Sequence, residues 1–286
     1  MQTVHTIAEL RAQLIGARRE GRKIAFVPTM GNLHCGHMSL VEEAGKRGDL
    51  VVSSIFVNPL QFGANEDLDS YPRTLAEDQQ KLEAYGCHLL FAPSVHEIYP
   101  RGTEIQTVVE VRSLSDMHCG MSRPTHFRGV ATIVAKLFGI VQPDIAVFGK
   151  KDYQQLAVIR QMTEDLSLPV EVVGVDTARE SSGLAMSSRN GYLSEEQLKV
   201  APTLNQVLQD LVSSLKQGNR SFYTLEEQAN QRLEAAGFQR DYVHICNRQT
   251  LQPATSGCRE LVILAAAQLG PARLIDNCEV FLDDHE

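Results

Sequence analysis

Pro28-Thr29-Met30-Gly31-Asn32-Leu33-His34-Cys35-Gly36-His37 is the stretch on which the reading of this chain turns. It follows the apolar run Ile24-Ala25-Phe26-Val27, which reads as a short buried strand. It precedes Met38-Ser39-Leu40-Val41-Glu42-Glu43-Ala44, whose Leu40, Val41 and Ala44 share one helical face. Two glycines and two histidines therefore occupy a strand-to-helix turn, where free backbone N–H groups and the positive end of a helix converge. Such a turn favours bound phosphate. Imidazoles beside it can supply proton donors or positive charge as leaving-group charge develops.

Outward from this turn the same alternation repeats. Thr6 to Glu9 has capping-box spacing and opens a helix that Gly21 ends. The run 50–57 is apolar enough for a strand buried on both faces, and it empties into Asn58-Pro59-Leu60-Gln61-Phe62-Gly63. Thr74 to Glu77 repeats the capping-box spacing before a helix to Tyr85, and 87–92 reads as the next strand. Residues 107–111 are expected as a short strand and 113–126 as an irregular loop. A helix at 127–141, a strand at 144–148, a helix from Tyr153 to Leu166 and a strand at 170–175 follow. Strands alternating with helices imply a parallel α/β sheet, doubly wound. Ligands in such sheets sit beyond the carboxyl ends of the strands, where the loops after Val27, Val57 and Phe148 all fall.

Composition changes after Val175. Residues 178–190 are polar and glycine-containing, as in a mobile connector; one long helix is expected from Ser194 to Lys216 and another at 224–236, with apolar runs at 242–245 and 261–266. The expected division is a nucleotide- and substrate-binding domain at 1–177 and a smaller α+β domain at 178–286 acting as a lid over the rim.

The 286 residues carry 43% apolar and 22% charged side chains, ordinary for a globular protein with a full core. No uninterrupted apolar stretch approaches the ~20 residues of a membrane span, and the N-terminus does not read as a secretory signal. Six cysteines without a CxxC pair suit reduced thiols in the cytoplasm rather than disulfides or structural zinc. A net charge of −8 argues against extended nucleic-acid binding.

Individually the motifs stay open. His34 and His37 at this spacing are also met in polar loops. The pair lacks the partner ligands that zinc would need. Gly149-Lys150-Lys151-Asp152 places a lysine in a strand-end turn, where it can meet phosphate, with Asp152 able to accept from ribose hydroxyls or simply to cap a helix. Met186-Ser187-Ser188-Arg189-Asn190 can wrap a polyphosphate or serve as a hinge. Gln61 and Gln155 are amides able to bond both a carboxylate and a hydroxyl.

Taken in order, these stretches resemble the pantoate–β-alanine ligase (pantothenate synthetase) family. The matching segments are Val27 to His37, Phe56-Val57-Asn58-Pro59-Leu60-Gln61-Phe62, Tyr71-Pro72-Arg73-Thr74, and Arg123-Pro124-Thr125-His126-Phe127-Arg128-Gly129-Val130. They continue with Phe148-Gly149-Lys150-Lys151-Asp152-Tyr153-Gln154-Gln155-Leu156, Ser187-Ser188-Arg189-Asn190-Gly191-Tyr192-Leu193 and Arg273-Leu274-Ile275-Asp276-Asn277. The resemblance implies a Rossmann-type fold with an HxGH motif, a C-terminal lid, a homodimer, and ATP-dependent ligation of pantoate and β-alanine through a pantoyl adenylate. It implies that Met30, Gly31, Asn32, Leu33, His34, Cys35, Gly36 and His37 line an ATP site, with His37 the proton donor. Gly149, Lys150, Lys151 and Asp152 would hold ATP, with Lys151 on the phosphates. Ala178 would touch adenine, and Met186, Ser187, Ser188 and Arg189 would cover the triphosphate. Gln61 and Gln155 would hold pantoate, Gln61 also lying near β-alanine, and Asp78 would help to hold Mg²⁺. Two positions depart from the family pattern: Cys35 and Lys150 stand where relatives often carry acidic residues. Activity is expected to survive both. Two rival readings remain, a nucleotidyltransferase acting on a phosphate-bearing acceptor and a catalytically inactive nucleotide-binding module.

Overall fold

A computed structural model describes residues 1–63 and 66–282. The chain divides into two compact units, one of residues 1–150 and 155–176, the other of residues 151–154 and 177–286. The short segment 151–154 thus clusters with the second unit, whereas the sequence had suggested the first.

In the first unit the strands are β1 (Gln2–Val4), β2 (Ile24–Thr29), β3 (Leu50–Ile55), β4 (Leu89–Phe91), β5 (Ile145–Gly149) and β6 (Glu171–Val175). They form one sheet in the order β1-β4-β3-β2-β5-β6, with parallel pairing throughout. The principal helices are α1 (Ile7–Arg19), α2 (Cys35–Arg47), α3 (Leu75–Ala84), α6 (His126–Val141) and α7 (Tyr153–Asp165), with single-turn helices α4 (Val95–Ile98) and α5 (Cys119–Ser122) between. Ala25 and Val27 of β2 pack with Met38, Leu40, Val41 and Ala44 of α2. Ile24 and Phe26, one residue out of phase, point to the other face. The strand is buried on both sides because both sides carry helices.

Strand order reverses between β2 and β5, so the crevice at their carboxyl ends is the topological switch point. Met30 to His37 leave β2 there, and Lys150 leaves β5.

The second unit is an antiparallel sheet β7-β8-β9 (Gln239–Asn247, Glu260–Leu269, Ala272–Phe281) against helices α9 (Thr203–Lys216) and α10 (Phe222–Ala235). Leu204, Val207, Leu208, Leu211 and Leu215 give α9 one apolar stripe, which joins Leu225, Leu233, Val243, Ile245 and Ile263 in a single core.

Several local expectations fail for identifiable reasons. The long helix from Ser194 is two, α8 (Glu195–Val200) and α9, because Pro202 stands at the N-cap of the second. Its ring has no N–H to continue the ladder. Residues 107–111 form no strand; the Val109 N–H bonds the Thr132 hydroxyl at 2.9 Å instead. The helix after Thr74 exists, but Thr74 makes no side-chain cap, since its hydroxyl donates to Asp78 at 3.1 Å. The edge strand β1 and the last strand β9 went unread.

One contact fixes how closely α6 can lie on the loop after β3. A Cβ built on Gly129 would stand 2.1 Å from the Leu60 carbonyl oxygen and 2.9 Å from the Gln61 nitrogen. Both are backbone atoms and cannot swing aside. Gly129→Ala is therefore expected to destabilise the protein by about 1–3 kcal/mol through overpacking, measured by denaturant unfolding. Unchanged stability would mean that the loop is not held against α6.

Candidate functional site

The turn after β2 is shaped from below by one carboxylate. Asp78, on α3, is 0% exposed. It accepts from the Asn32 N–H at 2.9 Å, the Leu33 N–H at 2.8 Å and the Thr74 hydroxyl. The turn needs that grip because Gly31 (φ +84°) and Asn32 (φ +50°) both lie in the left-handed region. Glycine takes it freely and asparagine tolerates it. Lys81 adds a bond to the Leu33 carbonyl at 2.8 Å. Asp78 was expected to help hold Mg²⁺. Its oxygens are committed to three donors, and among the described residues no cluster of three or more metal-ligating side chains occurs. The Asp78 carboxylate thus holds the backbone of the turn.

The helix begins earlier than the sequence suggests, at Cys35, with His34 as N-cap and His37 at the third position. The two imidazoles make a capping box: His34 Nδ1 accepts from the Gly36 N–H at 3.1 Å, and His37 Nδ1 accepts from the His34 N–H at 3.2 Å. Ring centroids are 4.2 Å apart. With each Nδ1 an acceptor, the neutral rings carry their protons on Nε2. Two ring N–H donors and a helix N-terminus thus stand together at the switch point. Cys35 is exposed, and Met30 is half-buried at the strand end.

The loop after β3 holds Gln61, which is 9% exposed. Asn58, fully buried, donates from Nδ2 to Gln61 Oε1 at 3.1 Å and to the Gly129 carbonyl at 3.2 Å, while accepting from the Tyr99 hydroxyl at 2.8 Å. These bonds orient the Gln61 amide with its NH₂ on the opposite side. His126 donates to the Gln61 carbonyl at 2.8 Å, and Arg123 does so at 3.3 Å while pairing with Glu66 at 2.6 Å. Burial alone would raise the Glu66 carboxyl, yet the hydrogen bonds and charge of Arg123 hold it below its ordinary value. Gln155 is half-buried on α7. Past Gly149, Lys150 pairs with Asp176 at 2.8 Å.

In the second unit, Lys151 and Ser187 line one small surface recess with Asn190, Asn205 and Asp276. Lys151 lies 3.9 Å from Asp152. Ala178 and Met186 come together because the Met186 N–H bonds the Ala178 carbonyl at 2.9 Å, beside a bridge between Arg179 and Ala185. Ser187 caps the short turn Ser188–Tyr192, accepting from the Arg189 N–H at 3.2 Å. Arg179 ties this hairpin down through two bonds to Asp276, at 2.7 and 2.8 Å, and one to the Gly183 carbonyl at 3.0 Å. Hydrogen bonding to the Asp276 carboxylate raises the guanidinium above its ordinary value despite burial.

Sequence reasoning missed Asn58, Tyr99, Arg123, Glu66 and His126 around Gln61, and Arg179 and Asp276 behind Lys151. Asn58, Arg123, His126 and Asp276 lay within recognised motifs but carried no chemistry visible in one dimension. Tyr99 and Glu66 gave no signal at all.

A family model for pantoate–β-alanine ligase matches residues 2–279. The chain belongs to this family. Pantothenate synthetase from Pseudomonas fluorescens Pf-5 is 59% identical over 283 residues, 99% of each chain. That of Pseudomonas aeruginosa UCBPP-PA14 is 56% identical over 99% of this chain and 100% of its own length. The crystal structure of pantothenate synthetase from Thermus thermophilus superposes with a TM-score of 0.92 at 48% identity, covering 98% of this chain and 100% of that one. The pantoate–β-alanine ligase of Francisella tularensis, crystallised with β-γ ATP and β-alanine, gives 0.82 at 32% identity and covers 97% of each chain.

If Asp78 shapes the turn rather than binding metal, Asp78→Asn puts an amide NH₂ against a backbone N–H. It should cost about 1–3 kcal/mol in unfolding experiments run with EDTA and no nucleotide. A stability difference seen only in the presence of Mg²⁺ would restore the metal role.

Proposed function

We propose that this chain joins pantoate and β-alanine to give pantothenate, with ATP cleaved to AMP and pyrophosphate. The observation that carries the reading is the His34–His37 capping box at the switch point, in a chain that matches the ligase family over residues 2–279.

In the first step a pantoate carboxylate oxygen attacks the α-phosphorus of ATP and the bond to pyrophosphate breaks. Negative charge grows on the leaving phosphates, and the demand is for positioning and charge neutralisation rather than a strong base. His34 and His37 supply Nε2–H donors, with His37 the proton donor; Lys151 and Arg189 supply positive charge. Met30 to Cys35, Gly36, Gly149, Lys150, Asp152, Ala178, Met186, Ser187 and Ser188 complete the nucleotide contacts. Magnesium enters as the phosphate-bound partner of ATP, as it usually does when a protein offers no cage.

Gln61 and Gln155 hold pantoate by hydrogen bonds from their side-chain amides to its hydroxyls and carboxylate. In the second step the β-alanine amine attacks the acyl carbon, AMP leaves with the bridging oxygen, and the ammonium loses a proton. Adenylation has already made the leaving group good, so no enzyme nucleophile is used. The protein acts as a homodimer in the cytoplasm and handles no nucleic acid or membrane. Among the described residues no helix is long and apolar enough to cross one.

The site also disfavours an acceptor bearing phosphate. The cation beside Gln61 is Arg123, and its charge is taken by Glu66. An inactive module is disfavoured because His37, Lys151 and Arg189 are all present.

With ATP, Mg²⁺ and pantoate alone, the protein should release about one pyrophosphate per active site and stop; adding β-alanine should yield pantothenate and AMP in equal amounts. His37→Ala should lower kcat by about 10²–10³, the usual cost of removing one donor to developing charge. Pyrophosphate release that ignores pantoate would overturn the substrate.

A further inference from the structure

Arg273-Leu274-Ile275-Asp276-Asn277 is one of the stretches that carry the family resemblance, yet the reaction as described gives none of these residues a task. They lie on β9, which pairs with β8 without a register shift from Ala272 to Phe281. Side chains alternate along a strand, so Asn277 and Glu279 share one face and Asp276 lies on the other.

Each face holds one of the loops assigned to the nucleotide. On the first, Asn277 Nδ2 donates to the Lys151 carbonyl at 2.9 Å, and Glu279 accepts from the Tyr153 hydroxyl at 2.8 Å. Asn277 is 7% exposed. Arg248 steadies Glu279 at 3.3 Å. On the second, Asp276 accepts both Arg179 bonds that tie down the 178–190 hairpin, and takes a further bond from Asn205 at 3.3 Å. One rigid strand therefore fixes the backbone of Lys151 and the root of the 186–189 turn.

We propose that Asn277 is a positioning residue for ATP activation, acting through Lys151. The inference rests on the ligase reading above, in which Lys151 meets the phosphates. A lysine side chain is a flexible four-carbon stem ending in a point charge. Where its ammonium can reach is set by where its backbone is held, and a misplacement of about 1 Å can cost about a hundredfold in rate. Asn277 holds that backbone by its carbonyl.

The test is a double-mutant cycle on the full-length protein, reading kcat and KM for ATP, KM for β-alanine and the unfolding midpoint. Asn277→Ala should lower kcat/KM for ATP by about ten- to a hundredfold and leave KM for β-alanine within about twofold. In a Lys151→Ala background the same substitution should change kcat/KM for ATP by less than about twofold, because the group it positions is gone. If Asn277→Ala fails to fold, Asn277→Asp is carried through the cycle; it keeps the size and sets an acceptor against the Lys151 carbonyl. Equal losses in both backgrounds, or normal ATP kinetics in Asn277→Ala, would overturn the positioning role while leaving the ligase reading intact. Absence of pantothenate from the unsubstituted protein would overturn both.

Discussion

The grip of the buried Asp78 carboxylate on the backbone N–H groups of Asn32 and Leu33 is the constraint on which the histidine-bearing turn depends. A parallel sheet delivers β2 and β5 side by side at the switch point, but it does not say what the chain does next. Two consecutive left-handed residues turn it sharply back, and such a turn persists only where its surroundings over-determine it. Asp78 provides that determination from α3, and Thr74 gives up its cap to help. The turn then delivers His34 to the N-cap and His37 to the third helical position. There the imidazoles do the work that serine and glutamate do in an ordinary capping box. Satisfying the helix end also sets their tautomers, so a structural bond and a chemical property arise from the same two contacts.

Elsewhere polar side chains are likewise held by buried neighbours rather than left to solvent. Gln61 is oriented by Asn58, which is itself fixed by Tyr99 and by α6, and α6 can approach only because residue 129 has no Cβ. In the second unit, Asp276 gathers Arg179 and Asn205, and Asn277 gathers Lys151. Buried polar groups that are fully partnered specify one arrangement, because any alternative leaves a donor or acceptor stranded at a cost of about 1–3 kcal/mol. Fixed geometry suits a reaction that proceeds by alignment and charge neutralisation.

Much of this was legible in one dimension. Strand–helix alternation from Ile24 to Val175 gave the parallel α/β sheet, and the histidine pair was legible as lying in the turn at a strand end. The ordered motifs gave the family. What stayed hidden has a common physical character: it depends on partners distant in the chain. For Asp78 the resemblance implied only a part in holding magnesium, since nothing in its neighbourhood announces that the amides of residues 32 and 33 fold back onto it. Tyr99 and Asn58 meet across 41 residues, and Asn277 and Lys151 across 126. Local rules also misled where a neighbour competed, as with the Thr74 hydroxyl, or where Pro202 outweighed an otherwise continuous helical pattern.

Central to the proposed reaction is activation of the pantoate carboxylate by direct bonding to the α-phosphorus of ATP. Pantoate labelled with ¹⁸O in both carboxylate oxygens tests it most directly, with β-alanine and unlabelled ATP in one turnover mixture and the products read by mass spectrometry. The expected result is one ¹⁸O in the phosphate of AMP and one in the pantothenate amide carbonyl. AMP free of label would contradict this mechanism, and label found in inorganic phosphate would show activation at the γ-phosphorus instead.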